Sequence, residues 1–359
     1  MQMMRNGPKR KILPVLFCLF LLALFVVLGL MWDKRDDSQA VVSTGSAFVM
    51  DTFVDQKWEG TDSAEAVEAV FQTLQDFENR ISAYRSDSEI SNINRNAGVS
   101  FVQVSESTFS LLSRAKEFCA ASDGLFDITI GPLTDLWNIT GDQPKVPDQA
   151  EIKEALALVC AEDLLLREED HAVMLRRAGQ KLNLGGMAKG AAGAEALETA
   201  KAYGVQSGYL SIGGNIFTIG TKEDGSAYRF GIRDPRGDAS EYIGIVELTD
   251  TTMATSGDYE RYFMANGVRY HHILDPHTGF PGDSDLMSVS VICEDGAMAD
   301  FLSTTLFLAG REKAMEYAQE ESFDFILIDK EKRVYLSDGI RPYFTPNDEA
   351  EGYVFVNGS

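Results

Sequence analysis

The sequence predicts an α+β fold of mixed α and β type, preceded by one N-terminal apolar segment. Three observations carry this. Strand-like segments alternate with helices early in the chain but follow one another directly later on, which argues against a simple doubly wound sheet. Two long segments carry apolar residues at helical spacing. The chain from Ala47 to Tyr343 contains no repeat and no low-complexity linker, so it is expected to form one domain.

At the N-terminus, Arg5, Lys9, Arg10 and Lys11 precede an uncharged apolar run from Ile12 to Trp32, which Asp33-Lys34-Arg35-Asp36-Asp37 ends. About 20 such residues span a bilayer. The basic flank places residues 1–11 in the cytoplasm and everything after residue 32 outside it. No Ala-x-Ala cleavage site stands near Gly29-Leu30-Met31, and no cysteine stands where a lipoprotein would be acylated, so an uncleaved anchor is expected over residues 12–32. A cleaved signal peptide and a buried core helix are the alternatives. Residues 33–45 read as a polar tether, 46–345 as the domain and 346–359 as a C-terminal tail.

Within the domain, "FVMDTFVDQKWEG" alternates like a strand. "SAEAVEAVFQTLQDFENRISAY" is helical, with Val67, Val70, Phe71, Leu74, Phe77 and Ile81 on one stripe. "ESTFSLLSRAKEFCAASDG" is a second amphipathic helix, stopped at Gly124. "FDITIGPLTDLWN" is a short apolar segment broken at Gly-Pro, and the acidic stretch from Asp148 to Asp163 reads as helix. "HAVMLRRAGQKLNL" is strand-like, and "KLNLGGMAKGAAGAEALETAKAYG" then reads as strand, glycine turn and helix. Further strands are expected at "SGYLSIGGNIFTIG", "RFGIRDP", "YIGIVELTDTTMATSG" and "LMSVSVIC". A helix begins near Ala297, and "FDFILID" with "RVYLSDG" forms a last hairpin.

A net charge of −23 repels polyanions, which excludes nucleic acid as a partner and obliges any small anionic ligand to find a local cation. Cys18, Cys119, Cys160 and Cys293 lack Cys-x-x-Cys spacing, so neither a zinc site nor a disulfide framework is expected; the last three read as small buried hydrophobes.

The glycine loop at Gly185-Gly186 is neither a Walker motif, since Lys189 is followed by Gly190 and Ala191 with no hydroxyl at the metal-binding place, nor a Gly-x-Gly-x-x-Gly fingerprint. A helix N-terminus behind a glycine turn can nonetheless seat a phosphate, or the turn can serve packing alone. Asp300 and Thr304 lie four apart on the helix near Ala297, so their oxygens share a face. That pair could hold Mg²⁺, or Asp300 could cap the helix. Gly213-Gly214 invites close backbone approach or marks a bulge. His271 and His272 point to opposite faces of a strand, so at most one lines a site, where it could act as a general base. Taken together, these residues suggest a metal-bridged diphosphate at a helix N-terminus.

The segments "FVMDTF", "SAYRSDSEISNIN", "GLFDITIGPLTDLW", "LNLGGMAKG", "YLSIGGNIF", "GIRDP", "MATSGDY", "HHILDPHTGFP" and "SVSVICEDGAMADFLSTTLF", in this order, resemble the FAD:protein FMN transferase (ApbE) family from about Ala47 to Tyr343. The resemblance implies an ApbE-like, T-fold-like, two-lobed single catalytic domain. It also implies an enzyme that uses Mg²⁺ and takes FAD as substrate, leaving FMN as a phosphoester on a Thr or Ser of another protein and releasing AMP. The metal ligands it implies are the Gly186 carbonyl, Asp300 and Thr304. The FAD contacts it implies are Met50, Leu125, Phe126, Asp127, Asn183, Lys189 and the backbone at Leu274. His272, with Asp300, would be catalytic.

The partners implied are FMN-binding-domain acceptor proteins of membrane or surface redox systems, with the domain held outside a bacterial cell membrane. Three features depart from the family pattern: Asn183 where Asp is usual, Asp51 where Gly usually follows the methionine, and an anchor in place of a lipidated cysteine. An FAD diphosphatase giving FMN and AMP, and a non-catalytic extracytoplasmic FAD-binding protein, are the alternatives. The acceptor motif Asp-Gly-x-Ser/Thr-Gly-Ala-Thr is absent from this chain, so self-flavinylation is not expected.

Overall fold

The computed structural model describes residues 41–320 and 323–356. The expectations for residues 1–11, for the 12–32 anchor and for most of the tether lie outside the described residues. Among the described residues no helix is long and apolar enough to cross a membrane.

In chain order the elements are β1 (Val41–Val49), β2 (Thr52–Gly60), α1 (Ser63–Ile81), α2 (Glu89–Arg95), β3 (Val102–Gln103), α3 (Glu106–Ala121), α4 (Gly131–Trp137), α5 (Gln149–Leu156), β4 (Leu164–Arg167) and β5 (Ala172–Leu175). After these come α6 (Ala188–Ala202), β6 (Val205–Ile212), β7 (Asn215–Ile219), β8 (Tyr228–Arg233), β9 (Tyr242–Leu248), β10 (Thr252–Gly257), β11 (Tyr262–Ala265), β12 (Val268–His271) and β13 (Leu286–Cys293). The last are α7 (Gly296–Ala309), α8 (Arg311–Glu320), β14 (Asp324–Asp329), β15 (Arg333–Leu336), β16 (Phe344–Pro346) and β17 (Val354–Val356).

The mixed α and β class is as expected. A nine-stranded sheet runs β1-β2-β6-β7-β10-β13-β14-β15-β17, antiparallel from β2 to β15 and parallel at β15–β17. Helices α1, α6, α7 and α8 pack on one face. On the other, Ile216, Met253, Met287, Ile326 and Ile328 meet Ile243, Val246 and Phe344 of the small sheet β16-β9-β8. The middle strands are therefore covered on both faces, which is why "LMSVSVIC" shows no polar alternation that reaches solvent.

Local sequence explains the helices. In α1, Val67, Val70, Leu74, Phe77 and Ile81 are buried, while Phe71 packs half-buried at the rim of the same core. Ser105 caps α3 by accepting from Thr108 N, and Asp148 with Glu151 forms a full capping box on α5.

Several boundaries differ from expectation for identifiable reasons. "FVMDTFVDQKWEG" is two strands, because Met50 (φ 56°) and Asp51 (φ 53°) both adopt the left-handed conformation of a tight hairpin turn. β1 already begins at Val41, inside the segment read as tether. At the other end, Val354–Val356 of the expected tail pairs with β15. The acidic helix stops at Leu156. Gly213-Gly214 is the turn of the β6–β7 hairpin, not a bulge.

No named strand leads directly into the Gly185-Gly186 turn; β5 ends at Leu175, and Lys181 makes only an isolated parallel bridge with Ile130. Leu182 instead pairs with the Asn94 side chain, whose Oδ1 accepts from Leu182 N at 2.7 Å while its Nδ2 donates to Leu182 O at 3.1 Å. Asn183 N donates to Ile128 O at 2.7 Å. A side-chain amide and a loop carbonyl stand in for a neighbouring strand. Cys119 is buried, whereas Cys160 and Cys293 are only half-buried.

Candidate active site

The site is built on the crossing of α6 and α7. Gly190 on α6 lies so close to α7 that a Cβ there would stand 2.0 Å from Gly296 O. That proximity brings Asp300, a residue only 1% exposed, to the first turn of α6. No side chain caps α6 from its own N-cap residue, Met187. Asp300 caps it from the neighbouring helix: its Oδ2 accepts from Gly190 N at 2.9 Å, and its Oδ1 accepts from Asn215 Nδ2 at 2.9 Å and Lys189 Nζ at 3.3 Å.

Thr304 lies one turn further along α7. Its hydroxyl is 3.3 Å from Ser256 Oγ and 3.4 Å from the place a Cβ on Gly186 would take. A side chain at 186 would also meet the Phe126 ring at 2.8 Å. Glycine there lets the loop backbone approach the Thr304 hydroxyl. Among the described residues no cluster of three or more His, Cys, Asp or Glu side chains could hold a metal. The donors at this crossing are one carboxylate, hydroxyls and main-chain carbonyls. All are hard oxygens, and they fit an ion such as Mg²⁺ that fills its remaining positions with water and substrate oxygen.

A cavity of about 310 Å³ opens above this crossing. Met50, Leu125, Phe126, Asp127, Asn183 and Leu274 line it, as do Gly186, Lys189, Thr304 and His272. Asp300 sits behind Lys189, out of the lining itself. Of the site residues the resemblance implied, all but Asp300 line this one cavity, and Asp300 touches it through Lys189.

Their local roles differ. The Asp127 carboxylate is committed to the fold, accepting from Thr129 N and Oγ1 and from Ala161 N; burial raises its pKa despite those bonds. Asn183 Oδ1 accepts from Gly185 N at 2.9 Å and its Nδ2 reaches Tyr84 Oη at 3.3 Å, so the amide shapes the glycine turn. Asp51 takes a left-handed conformation in which glycine is less strained, and it uses its main-chain O to accept from Arg261 Nη2 at 2.7 Å. Asp51→Gly is therefore expected to keep that bond and raise stability by about 0.5 kcal/mol, relief of strain outweighing glycine's entropy. A thermal melt of the variant checks it.

The two histidines separate as expected. His271 is buried, with Nε2 on Gly282 O at 2.9 Å and Nδ1 accepting from Ile273 N, and its ring is edge-on to Phe307. It holds the fold. His272 lines the cavity, and its Nδ1 lies 3.3 Å from Arg261 O. A carbonyl can only accept, so Nδ1 carries the proton and Nε2 keeps its lone pair. The ring is enclosed by the cleft yet open to its water. Enclosure, then the charges of Lys189 and Arg261, lower its pKa below the ordinary 6.5. The imidazole is neutral at pH 7.

Sequence reasoning missed four residues of this site. Arg261 supplies the carbonyl under His272, Tyr84 stands at the rim, Ser256 joins Thr304, and Asn215 orients Asp300. Asn215 follows the Gly213-Gly214 turn directly, a position that reads as ordinary turn chemistry.

Fold and cavity together define a class: a mixed α and β protein whose glycine-floored cleft holds Lys189 and Arg261 beside one neutral histidine. The ApbE family model matches residues 50–327. The chain is 39% identical over 289 residues to the FAD:protein FMN transferase of Treponema pallidum, covering 77% of this chain and 80% of that one. It is 34% identical over 328 residues to an FAD:protein FMN transferase of Klebsiella pneumoniae, covering 91% and 99%. The crystal structure of the ApbE protein from Thermotoga maritima shares the fold with a TM-score of 0.80 at 32% identity, over 84% of this chain and 99% of that one. The chain belongs to the ApbE family.

Proposed function

We propose that this enzyme moves FMN from FAD to a Thr or Ser hydroxyl of an acceptor flavoprotein and releases AMP. The observation that carries the reading is that one cavity is lined by the glycine turn, by Lys189 with the helix-capping Asp300 carboxylate directly behind it, and by His272, whose Nε2 is free. The names of the Treponema and Klebsiella relatives support the same substrate.

Asp300, Thr304 and the Gly186 carbonyl are the residues that would hold Mg²⁺. When bound, such an ion neutralises charge developing on a diphosphate leaving group. Lys189 and the N-terminus of α6 bind and orient the phosphates. His272 Nε2 takes the proton of the acceptor hydroxyl as its oxygen attacks the FMN phosphorus. The P–O bond to the AMP half then breaks, and AMP leaves with the bridging oxygen. The main-chain carbonyl of Arg261 holds the imidazole in the required tautomer. The anchor over residues 12–32 belongs to the same reading. It would place the domain outside the cytoplasm, beside FMN-binding-domain acceptors of membrane or surface redox systems.

The test is the intact mass of such an acceptor after incubation with the full chain, FAD and Mg²⁺. A gain of one FMN less water, lost on chelation, supports the transferase. An unmodified acceptor with free FMN and AMP would make the protein an FAD hydrolase instead. The lowered pKa of His272 adds a second expectation. A base must be unprotonated, so activity is lost only as pH falls through the free-enzyme pKa. The acid limb of kcat/KM should therefore lie below pH 6.5, the ordinary histidine value, and should vanish in His272→Ala along with most of the rate, about 10²–10⁴-fold. An unchanged profile in that variant would remove His272 from the role.

A further inference from the structure

Asp300 is a buried carboxylate, and a buried charge needs compensation. Among the described residues three donors reach it, of which Lys189 alone is cationic. They are not equally fixed. Gly190 N is part of the α6 backbone. Asn215 is fully buried at the start of β7, and its own Oδ1 accepts from Thr255 N. Lys189 makes the longest contact, 3.3 Å against 2.9 Å for each of the others, and its side chain is 29% exposed into the cavity. It is the one bond of the three that can open without moving a helix or a strand.

We propose that Lys189 is an exchangeable counter-ion. It neutralises Asp300 while no divalent cation is bound, and it is displaced into the cavity when one binds. The inference rests on the reading that Asp300 is a Mg²⁺ ligand. A lysine ammonium and a divalent cation on one carboxylate oxygen repel each other. The neutral bonds from Asn215 and Gly190 remain and keep the carboxylate in place, which makes Asn215 a positioning residue. The displaced ammonium becomes available to an anion in the cavity, so cation and diphosphate raise each other's affinity through the lysine. In a chain of net charge −23, one cation thus serves two anionic sites in turn.

Mg²⁺ alone, titrated by calorimetry into the metal-free full chain without FAD, tests this. Lys189→Gln should bind Mg²⁺ about tenfold more tightly than the wild type, because a like charge beside the ion is gone. Lys189→Arg keeps the charge and should bind as the wild type does. Asp300→Asn should lose the site. If Asp300→Asn loses the site but Lys189→Gln binds no more tightly than the wild type, the exchange is overturned and the metal assignment stands. If Asp300→Asn binds Mg²⁺ like the wild type, the metal assignment itself is overturned. Added Mg²⁺ should also tighten FAD binding in the wild type more than in Lys189→Gln, and an equal gain in both would count against the exchange.

Discussion

Asp300→Ala is expected to reduce FMN transfer by at least about a hundredfold, a loss within the range expected of His272→Ala. Two effects combine. The carboxylate would be the one anionic ligand of the metal, and charge stabilisation of that kind is worth several kcal/mol in the transition state. At 1.36 kcal/mol per factor of ten, about 3 kcal/mol already exceeds a hundredfold. The second effect is structural. Asp300 is the acceptor for Gly190 N and Asn215 Nδ2, and leaving buried donors unsatisfied costs about 1–3 kcal/mol apiece. Asp300→Ala should therefore also melt at a lower temperature.

Asp300→Asn separates the two effects. Its Oδ1 can still accept from Gly190 N, but its Nδ2 then faces the donors Asn215 Nδ2 and Lys189 Nζ, so only part of the stability should survive, while the charge is gone and the activity falls as far as in the alanine variant. Measuring kcat/KM for an acceptor beside the melting temperature of each variant decides the matter. A stable Asp300→Asn enzyme working at the wild-type rate would remove Asp300 from the chemistry.

How much of this was legible in the sequence varied with the kind of interaction. Helices α1 and α3 were, because their burial is one-sided and the 3.6-residue period survives in the residue order. The Asp300–Thr304 pair was, because a helix fixes the spatial meaning of a four-residue step. The turn at Met50-Asp51 was not: its strain lies in two positive φ angles, and neither residue type announces one. The extended stretch before the glycine turn read as a strand, yet its partner is the Asn94 side chain, 88 residues from Leu182. Arg261 was missed for a similar reason: it acts through its main-chain carbonyl, which any residue has. What short-range patterns encode could be read. What arises where distant segments meet could not, except through the family resemblance that gathered those segments in advance.

The crossing of α6 and α7 is where fold and chemistry depend on the same contact, and Gly190→Ala should damage both. In an exposed helix this change would stabilise by about 1 kcal/mol. Here the new Cβ would lie 2.0 Å from Gly296 O and 2.7 Å from Asp300 Cβ. The nearer obstacle is backbone, so no rotamer change relieves it and the helices must separate. Overpacking of this kind costs about 1–3 kcal/mol, occasionally more, and the upper end is expected. Separation also draws Asp300 away from Gly190 N and from the mouth of the glycine turn, so transfer should fall with stability.

Gly193→Ala is the comparison. Its Cβ would also sit 2.0 Å from the nearest atom, but that atom belongs to the buried Phe217 ring, side chain rather than backbone, and Asp300 is not among its neighbours. Gly193→Ala should lower the melting temperature while leaving Mg²⁺ binding nearly intact, whereas Gly190→Ala should impair both. If Gly190→Ala melts at or above the wild-type temperature, the helices have room to spare, and close approach is not what fixes Asp300. If it melts lower but binds Mg²⁺ normally, the crossing serves the fold alone. Loss of both, with Gly193→Ala losing only stability, would mean that Gly190 is glycine because the site needs the second helix that near.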